Sequence, residues 1–221
     1  MKVIVTGATG MVGEGVMYEC LNHPAIDKVL VAGRRSCGYQ RQKLSEIIVK
    51  DFYNLTECEN ELRGYDACFF CLGSTSLGKS QEEYFKMTYT LTMHFAETFC
   101  RLNPGSTFSY VSGTGTDGTE KGKVAWARVK GKTENDIFKL PFKQSFAFRP
   151  GFMKPTPGLK YALSFYKYIN RLYPLMRKLF PGHVSTLSEL GIAMINAALY
   201  GYDKKVIEVK DIVLLAAKKT G

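Results

Sequence analysis

The chain has 221 residues, 45% of them hydrophobic, with six cysteines, three histidines and a formal net charge of +10. That length and apolar content suit one α/β domain with a substantial core; no apolar run reaches the ~20 residues that span a bilayer, and with no signal sequence expected ahead of the first strand a cytoplasmic protein is expected. The charge is uneven, with eleven Lys/Arg against four Asp/Glu in residues 151–221, but no arginine–aromatic repeat or nucleic-acid motif accompanies it, so nucleic acid is not an expected partner and a polyanionic cofactor suffices.

Residues 3–13 read Val-Ile-Val-Thr-Gly-Ala-Thr-Gly-Met-Val-Gly. A short apolar strand runs into glycines at Gly7, Gly10 and Gly13, and a helical pattern follows. Gly7 permits a tight turn, Gly10 leaves room for phosphates, and Gly13 lets the helix pack on the strand. Backbone N–H groups of this segment, Thr9, Met11 and Val12 among them, and the helix dipole then face a diphosphate.

Further along, strands are expected at Lys28–Ala32, Glu46–Lys50, Asp66–Cys71, Thr107–Ser112, Ser145–Phe148 and Lys205–Val209, after a first at Lys2–Thr6. Helices are expected at Val12–Leu21, Asn54–Leu62, Gln81–Leu102, Val124–Phe138, Leu159–Tyr173, Ser185–Tyr200 and Ile212–Lys218, the last capped by Asp211. Short apolar strands alternating with helices imply a doubly wound, mostly parallel Rossmann-type sheet of about seven strands. Three prolines and two glycines in Arg149–Gly158 divide a cofactor-binding core (residues 1–150) from a small helical, substrate-side lobe (151–221) of the same domain.

The strand ends carry the binding chemistry. The second ends Gly33-Arg34-Arg35-Ser36, where arginine favours the 2′-phosphate of NADP over the 2′-hydroxyl of NAD. The third ends at Asp51-Phe52, and Asp51 is either a contact for the adenine amino group or a solvated strand-end carboxylate. The fourth ends Cys71-Leu72-Gly73, a small-residue turn that lets the chain pass beside the ribose. Cys68 and Cys71 form a C-x-x-C, but positions three apart on a strand point to opposite faces. Buried free thiols are expected, not a redox pair. The histidines do not cluster with the cysteines, and no metal site is expected.

Gly7–Gly13, the Arg34-Arg35 pair, Cys71-Leu72-Gly73, the strand into Ser112, the segment ending in Lys130 and Arg149-Pro150-Gly151-Phe152 occur in an order that resembles the short-chain dehydrogenases/reductases. They look most like the atypical, NAD(P)-dependent epimerase/dehydratase-like branch, with its small Tat-interacting-protein-type oxidoreductases. The resemblance covers essentially the whole chain, including the later helix with Thr186, Glu189 and Gly191. It implies a bound nicotinamide cofactor, a small-molecule substrate, Lys130 on the nicotinamide ribose and Pro150, Gly151 and Phe152 bordering the nicotinamide.

The family's catalytic Tyr stands four residues before its Lys, and here that position is Trp126. An indole N–H only donates and is no general acid near neutral pH. Ser112 aligns with the strand-end serine and Gly113 with the usual catalytic Ser/Thr, so Ser112 and Lys130 are the candidate catalytic residues. Thr114, Tyr84, Tyr110 or a water are alternative proton carriers, and Ser112 has the competing reading of a hydroxyl that satisfies local backbone. Two functions follow: an NADP-dependent oxidoreductase or epimerase-like enzyme with an altered catalytic pair, acting on a small carbonyl or alcohol, or a non-catalytic NADPH-dependent binding or regulatory protein.

Within Leu159–Phe180, Phe165, Ile169, Leu172, Met176 and Leu179 fall on one helical face and Lys160, Lys167, Arg171 and Lys178 on the other. The expected reading is an amphipathic pair packed on the core and broken near Tyr173 by Pro174. Peripheral contact with an anionic membrane is the alternative. The oligomeric state is open, a homo-oligomer included.

Overall fold

The apolar runs pair, as their pattern demands, into a sheet covered on both faces. The computed structural model describes residues 1–161 and 172–218. In chain order the strands are β1 Lys2–Thr6, β2 Lys28–Gly33, β3 Leu44–Ile48, β4 Ala67–Phe70, β5 Thr107–Val111, β6 Gln144–Arg149, β7 Phe152–Lys154, β8 Val184–Thr186 and β9 Val206–Glu208. The helices are α1 Met11–Asn22, α2 Gln81–Phe85, α3 Leu91–Leu102, α4 Ala125–Ile137, α5 Tyr173–Leu179, α6 Leu187–Tyr200 and α7 Val209–Ala217.

Seven strands form one parallel sheet in the order β3-β2-β1-β4-β5-β6-β9. The chain winds outward from β1 to β3, returns to the middle, and winds the other way from β4. The crevice beyond the carboxyl ends of β1 and β4 is therefore a topological switch point. A separate parallel pair, β7 with β8, lies outside the sheet.

Side chains alternate across the sheet and define two cores. Val3, Val5, Val31, Phe69 and Phe148 pack on one face with Val16 of α1 and Leu190 and Met194 of α6. Ile4, Leu30, Phe70 and Phe108 pack on the other with Phe95 and Phe99 of α3. Cys68 lies in the second core, whereas Cys71 packs against the first. The two thiols thus face opposite sides of the sheet, and burial raises the pKa of both.

The expected helix over 81–102 forms, with a π turn at Lys86–Thr90 between α2 and α3. Ser80 and Glu83 make a reciprocal capping box at its start. Elsewhere the structure departs from expectation. Asn54–Leu62 is not a helix; only Thr56–Cys58 makes a 3₁₀ turn. There the Asn54 side chain accepts from both the N–H and hydroxyl of Thr56, and a local bond of this kind competes with helix. Asp211 is not the N-cap of the last helix: Glu208 is, and Asp211 sits three positions on as its capping-box partner.

The C-terminal third supplies the seventh sheet strand, β9, as expected, and adds the unexpected short strands β7 and β8. Pro174 falls in the first turn of α5, the place where a break was foreseen. Most of the predicted 159–173 helix, with Phe165, Lys167, Ile169 and Arg171, lies outside the described residues. Of the expected apolar face, Leu172 and Leu179 are more than half exposed and Met176 is half-buried.

Asn103 tests how the end of the sheet opposite the crevice, where β4 and β5 begin, is held together. Its buried side chain accepts from the N–H groups of Gly64 and Tyr65 and donates to the carbonyls of Leu62 and Phe99. Asn103→Ala leaves these groups without that partner and is expected to lower stability by about 3 kcal/mol in urea unfolding.

Candidate cofactor and active site

The site begins where β1 stops. The Thr6 hydroxyl accepts from the N–H groups of both Cys71 and Leu72 at 3.1 Å, which locks the end of β4 against the end of β1. Gly7 follows with a φ of +72°, and a Cβ there would stand 2.7 Å from the Cys71 carbonyl oxygen. The Gly10 N–H closes the turn on the Gly7 carbonyl at 2.9 Å. A Cβ on Gly13 would stand 2.2 Å from the same oxygen, so the start of α1 rests directly on the turn. Gly10 itself is exposed and, as N-cap of α1, offers no side chain to the first-turn N–H groups. Those donors and the positive end of the helix are left for an anion.

A cleft of about 340 Å³ opens at this turn, lined by Gly7, Ala8, Thr9, Arg34, Arg35 and Leu72 among others. Both arginines are exposed, and neither makes an ion pair among the described residues. Ser36 does not join them: its hydroxyl donates to Glu46, whose other oxygen accepts from the Cys37 N–H, each at 2.7 Å. Ser36 thus braces the loop that carries the arginines.

A second cavity of about 260 Å³ shares Arg34 and Leu72 with the first and adds Asp51, Phe52 and Gly73 to its wall. One oxygen of Asp51 accepts from the Tyr53 N–H at 2.8 Å, leaving the other open. The Phe52 ring is 3% exposed and packs on Phe95, so Phe52 offers the cavity mainly backbone.

At the other end, the Lys130 ammonium donates to the carbonyl of Ser112, at the end of β5. Burial lowers the pKa of Lys130, and the nearby Glu134 carboxylate partly opposes this. Trp126, Lys130 and Glu134 are spaced by four and share one face of α4. The Trp126 ring lies against Gly115 in the loop after β5.

The expectation that Ser112 is catalytic meets a different geometry. Its hydroxyl donates to Glu134 at 2.5 Å and the residue is buried. Glu134, 1% exposed, is gripped by Arg149 through Nε at 3.0 Å and Nη2 at 2.5 Å, and Arg149 reaches Glu208 at 3.2 Å. The Ser112 proton is therefore committed to an internal ion pair. The Thr114 hydroxyl donates to the Arg149 carbonyl. Tyr84 and Tyr110 are buried as well, and burial drives the Tyr110 pKa upward. Lys130 is the proton-bearing side chain that reaches the end of β5 directly.

Pro150, Gly151 and Phe152 continue from β6. The Pro150 carbonyl accepts from the Thr114 N–H, and the Phe152 N–H donates to His183. Gly151 and Phe152 line a shallow cleft with Thr114, Met176, Phe180 and His183. Thr186 and Glu189 form the capping box of α6, and Gly191 lets α6 approach Glu19 of α1.

Two buried carboxylates escaped the sequence reading. Glu134 had a signal, since it lies one turn beyond Lys130 on the same helix. Glu14 had none: it accepts from the Tyr39 hydroxyl and from the N–H groups of Lys160 and Tyr161 at 2.5–2.7 Å, partners remote in sequence.

No family model matches the chain. In sequence it is similar to protein HTATIP2 of Rattus norvegicus, 26% identical over 152 residues, covering 68% of this chain and 62% of that protein. It is also similar to protein FMP52, mitochondrial, of Candida glabrata, 28% identical over 211 residues, 91% of this chain and 86% of the relative. The chain thus matches less than two thirds of the length of the rat relative. Among solved structures it is similar to MoeE5 in complex with UDP-glucose and NAD, with a TM-score of 0.66 and 18% identity over 98% of this chain and 81% of the other. It is similar too to an ADP-L-glycero-D-manno-heptose-6-epimerase of Helicobacter pylori, with a TM-score of 0.68 and 17% identity over 97% and 80%. The fold is that of NAD(P)-dependent epimerases and dehydrogenases.

If Ser112 serves the ion pair, Ser112→Ala is expected to cost about 1–3 kcal/mol of stability and leave dinucleotide affinity unchanged. Glu134→Gln, which strands the Arg149 charge, is expected to cost about 3–5 kcal/mol. Urea unfolding with parallel calorimetric titration checks both.

Proposed function

We propose that the chain, which is similar to the atypical short-chain dehydrogenases/reductases, is an NADP-dependent oxidoreductase acting on a small carbonyl compound or alcohol. The observation that carries this reading is the cleft in which the uncapped start of α1 faces two exposed arginines that make no ion pair among the described residues. In this reading the first-turn N–H groups at Met11–Gly13 hold the diphosphate, and Arg34 and Arg35 hold the 2′-phosphate. Asp51 takes the adenine amino group with its open oxygen, while Leu72 and Gly73 line the path of the ribose. Pro150–Phe152 border the nicotinamide. The bound cofactor supplies or accepts hydride at the substrate carbon.

The proton is the chain's own task. Trp126 cannot give one near neutral pH, and the Ser112 and Thr114 hydroxyls are engaged. We assign it to the Lys130 ammonium, which also anchors the nicotinamide ribose. The protonated amine is the working form for carbonyl reduction, and burial favours its loss. Carbonyl-reducing turnover is therefore expected to fall as pH rises, with a midpoint below the ordinary lysine value of 10.5. A pH profile of NADPH oxidation with a carbonyl panel measures this.

Calorimetric titration with NADPH and NADH tests the cofactor assignment. NADPH is expected to bind the tighter, and Arg34→Ala or Arg35→Ala to weaken it by about tenfold or more while sparing NADH; equal affinities overturn the assignment. The second reading, a non-catalytic NADPH-dependent binding or regulatory protein, is favoured by Trp126 at the tyrosine position and by the engaged hydroxyls. It predicts NADPH affinity without turnover on any carbonyl, in the native chain and in Trp126→Tyr alike.

A further inference from the structure

A cavity bordering α4 shares no lining residue with the two cavities assigned to the cofactor. It measures about 480 Å³ and lies between the loop after β4, the start of α2 and the start of α4. Tyr84, Phe85, Trp126 and Val129 give it an apolar, largely aromatic wall, and Lys79 and Arg128 stand in the same lining with the carboxylate of Glu82. Lys79 donates to the Thr75 carbonyl at 3.0 Å and Arg128 to the Gly122 carbonyl at 2.7 Å. Neither makes an ion pair among the described residues, with Glu82 or any other carboxylate. Each half-buried cation therefore keeps free donors beside an aromatic surface.

The position relative to the cofactor cleft is specific. Leu72, Gly73 and Ser74 line the adenosine-side cavity, and Ser76, Lys79 and Ser80 of the same loop line this one. Trp126 stands one helical turn before Lys130 on their common face of α4.

We propose that this cavity is the substrate pocket, and that it selects a carbonyl compound with an apolar, ring-sized body and a single anionic group. The body packs on Trp126 and Phe85, and Lys79 and Arg128 hold the carboxylate or phosphate through charge-assisted hydrogen bonds. The volume is within the usual range for small-ligand sites. The polar lining of Ser76, Ser80 and Gln81 lies on the side of Lys79 and Glu82 in sequence, while Trp126, Phe85 and Val129 offer apolar surface, and the one carboxylate, Glu82, offsets one of the two cations. A monoanion suits this balance better than a diphosphate. The inference rests on the oxidoreductase reading for the role of the pocket, but occupancy is measurable without cofactor or turnover.

Trp126 is the only tryptophan of the chain, so its fluorescence reports this cavity directly. The probe is trans-4-formylcyclohexanecarboxylate, transparent at the excitation wavelength, titrated against neutral cyclohexanecarbaldehyde and UDP-glucose. The carboxylate is expected to give a saturable change and to bind at least about tenfold more tightly than the neutral aldehyde. Lys79→Gln and Arg128→Gln should each weaken the carboxylate several-fold and leave the neutral aldehyde unaffected. No saturable change, equal affinity for the two aldehydes, or tighter binding of UDP-glucose overturns the proposal. NADPH calorimetry on the same sample separates the two readings. Binding of NADPH without the probe removes only the pocket, and binding of the probe without NADPH removes the cofactor reading and leaves the pocket standing.

Discussion

The contact between the first glycine turn and the end of β4 governs the arrangement of the site. One hydroxyl, that of Thr6, receives two backbone N–H groups from Cys71 and Leu72. The adjacent turn at Gly7 comes so near the Cys71 carbonyl that no side chain fits between them. Gly13 then seats α1 on that turn. Three elements are thereby brought to one point, at the place where the parallel sheet reverses its winding. The open helix end, the arginines after β2 and the turn after β4 converge on one crevice because of that contact.

Charge is organised around the same crevice. Carboxylates that could compete with an anionic ligand are occupied elsewhere: Glu46 holds Ser36 and Cys37, Glu134 holds Arg149 and Ser112, and Glu14 gathers donors from two distant loops. The arginines at the cleft keep their charge free for a ligand. The excess of basic residues in residues 151–221 is thus not what lines the cofactor cleft, whose two arginines come from the first third of the chain. Under Lys130, the buried Glu134–Arg149 pair fixes the end of β5 against β6 and α4, so the carbonyl that Lys130 grips is itself rigidly placed.

Much of this was legible in residue order. The apolar runs ending in Thr6, Ala32, Cys71 and Ser112 read as strands because two-sided burial leaves no room for polar alternation. The helix over 81–102 was legible from its periodicity, and the structure adds a capping box of Ser80 and Glu83 at its start. The opposite facing of Cys68 and Cys71 followed from the two-residue period alone. The failures have local causes: Asn54 turned its side chain on its own backbone, and Glu208 captured the cap expected of Asp211. The short β7–β8 pair carries no periodic signal of its own, since three residues make less than two periods of a strand.

The sequence by itself determined the glycine turn, the parallel topology and the chemistry available at each strand end. These depend on dihedral freedom, periodicity and residue type, which are local properties. Only the tertiary structure decided which hydroxyls and charges are free. The Ser112 hydroxyl donates to a helix residue, the Ser36 hydroxyl to a neighbouring strand, and Glu14 takes backbone donors 146 and 147 positions away. Hydrogen-bond partners are fixed by proximity in space, and a buried donor or acceptor takes whichever group packing brings to it. No spacing along the chain announces that choice.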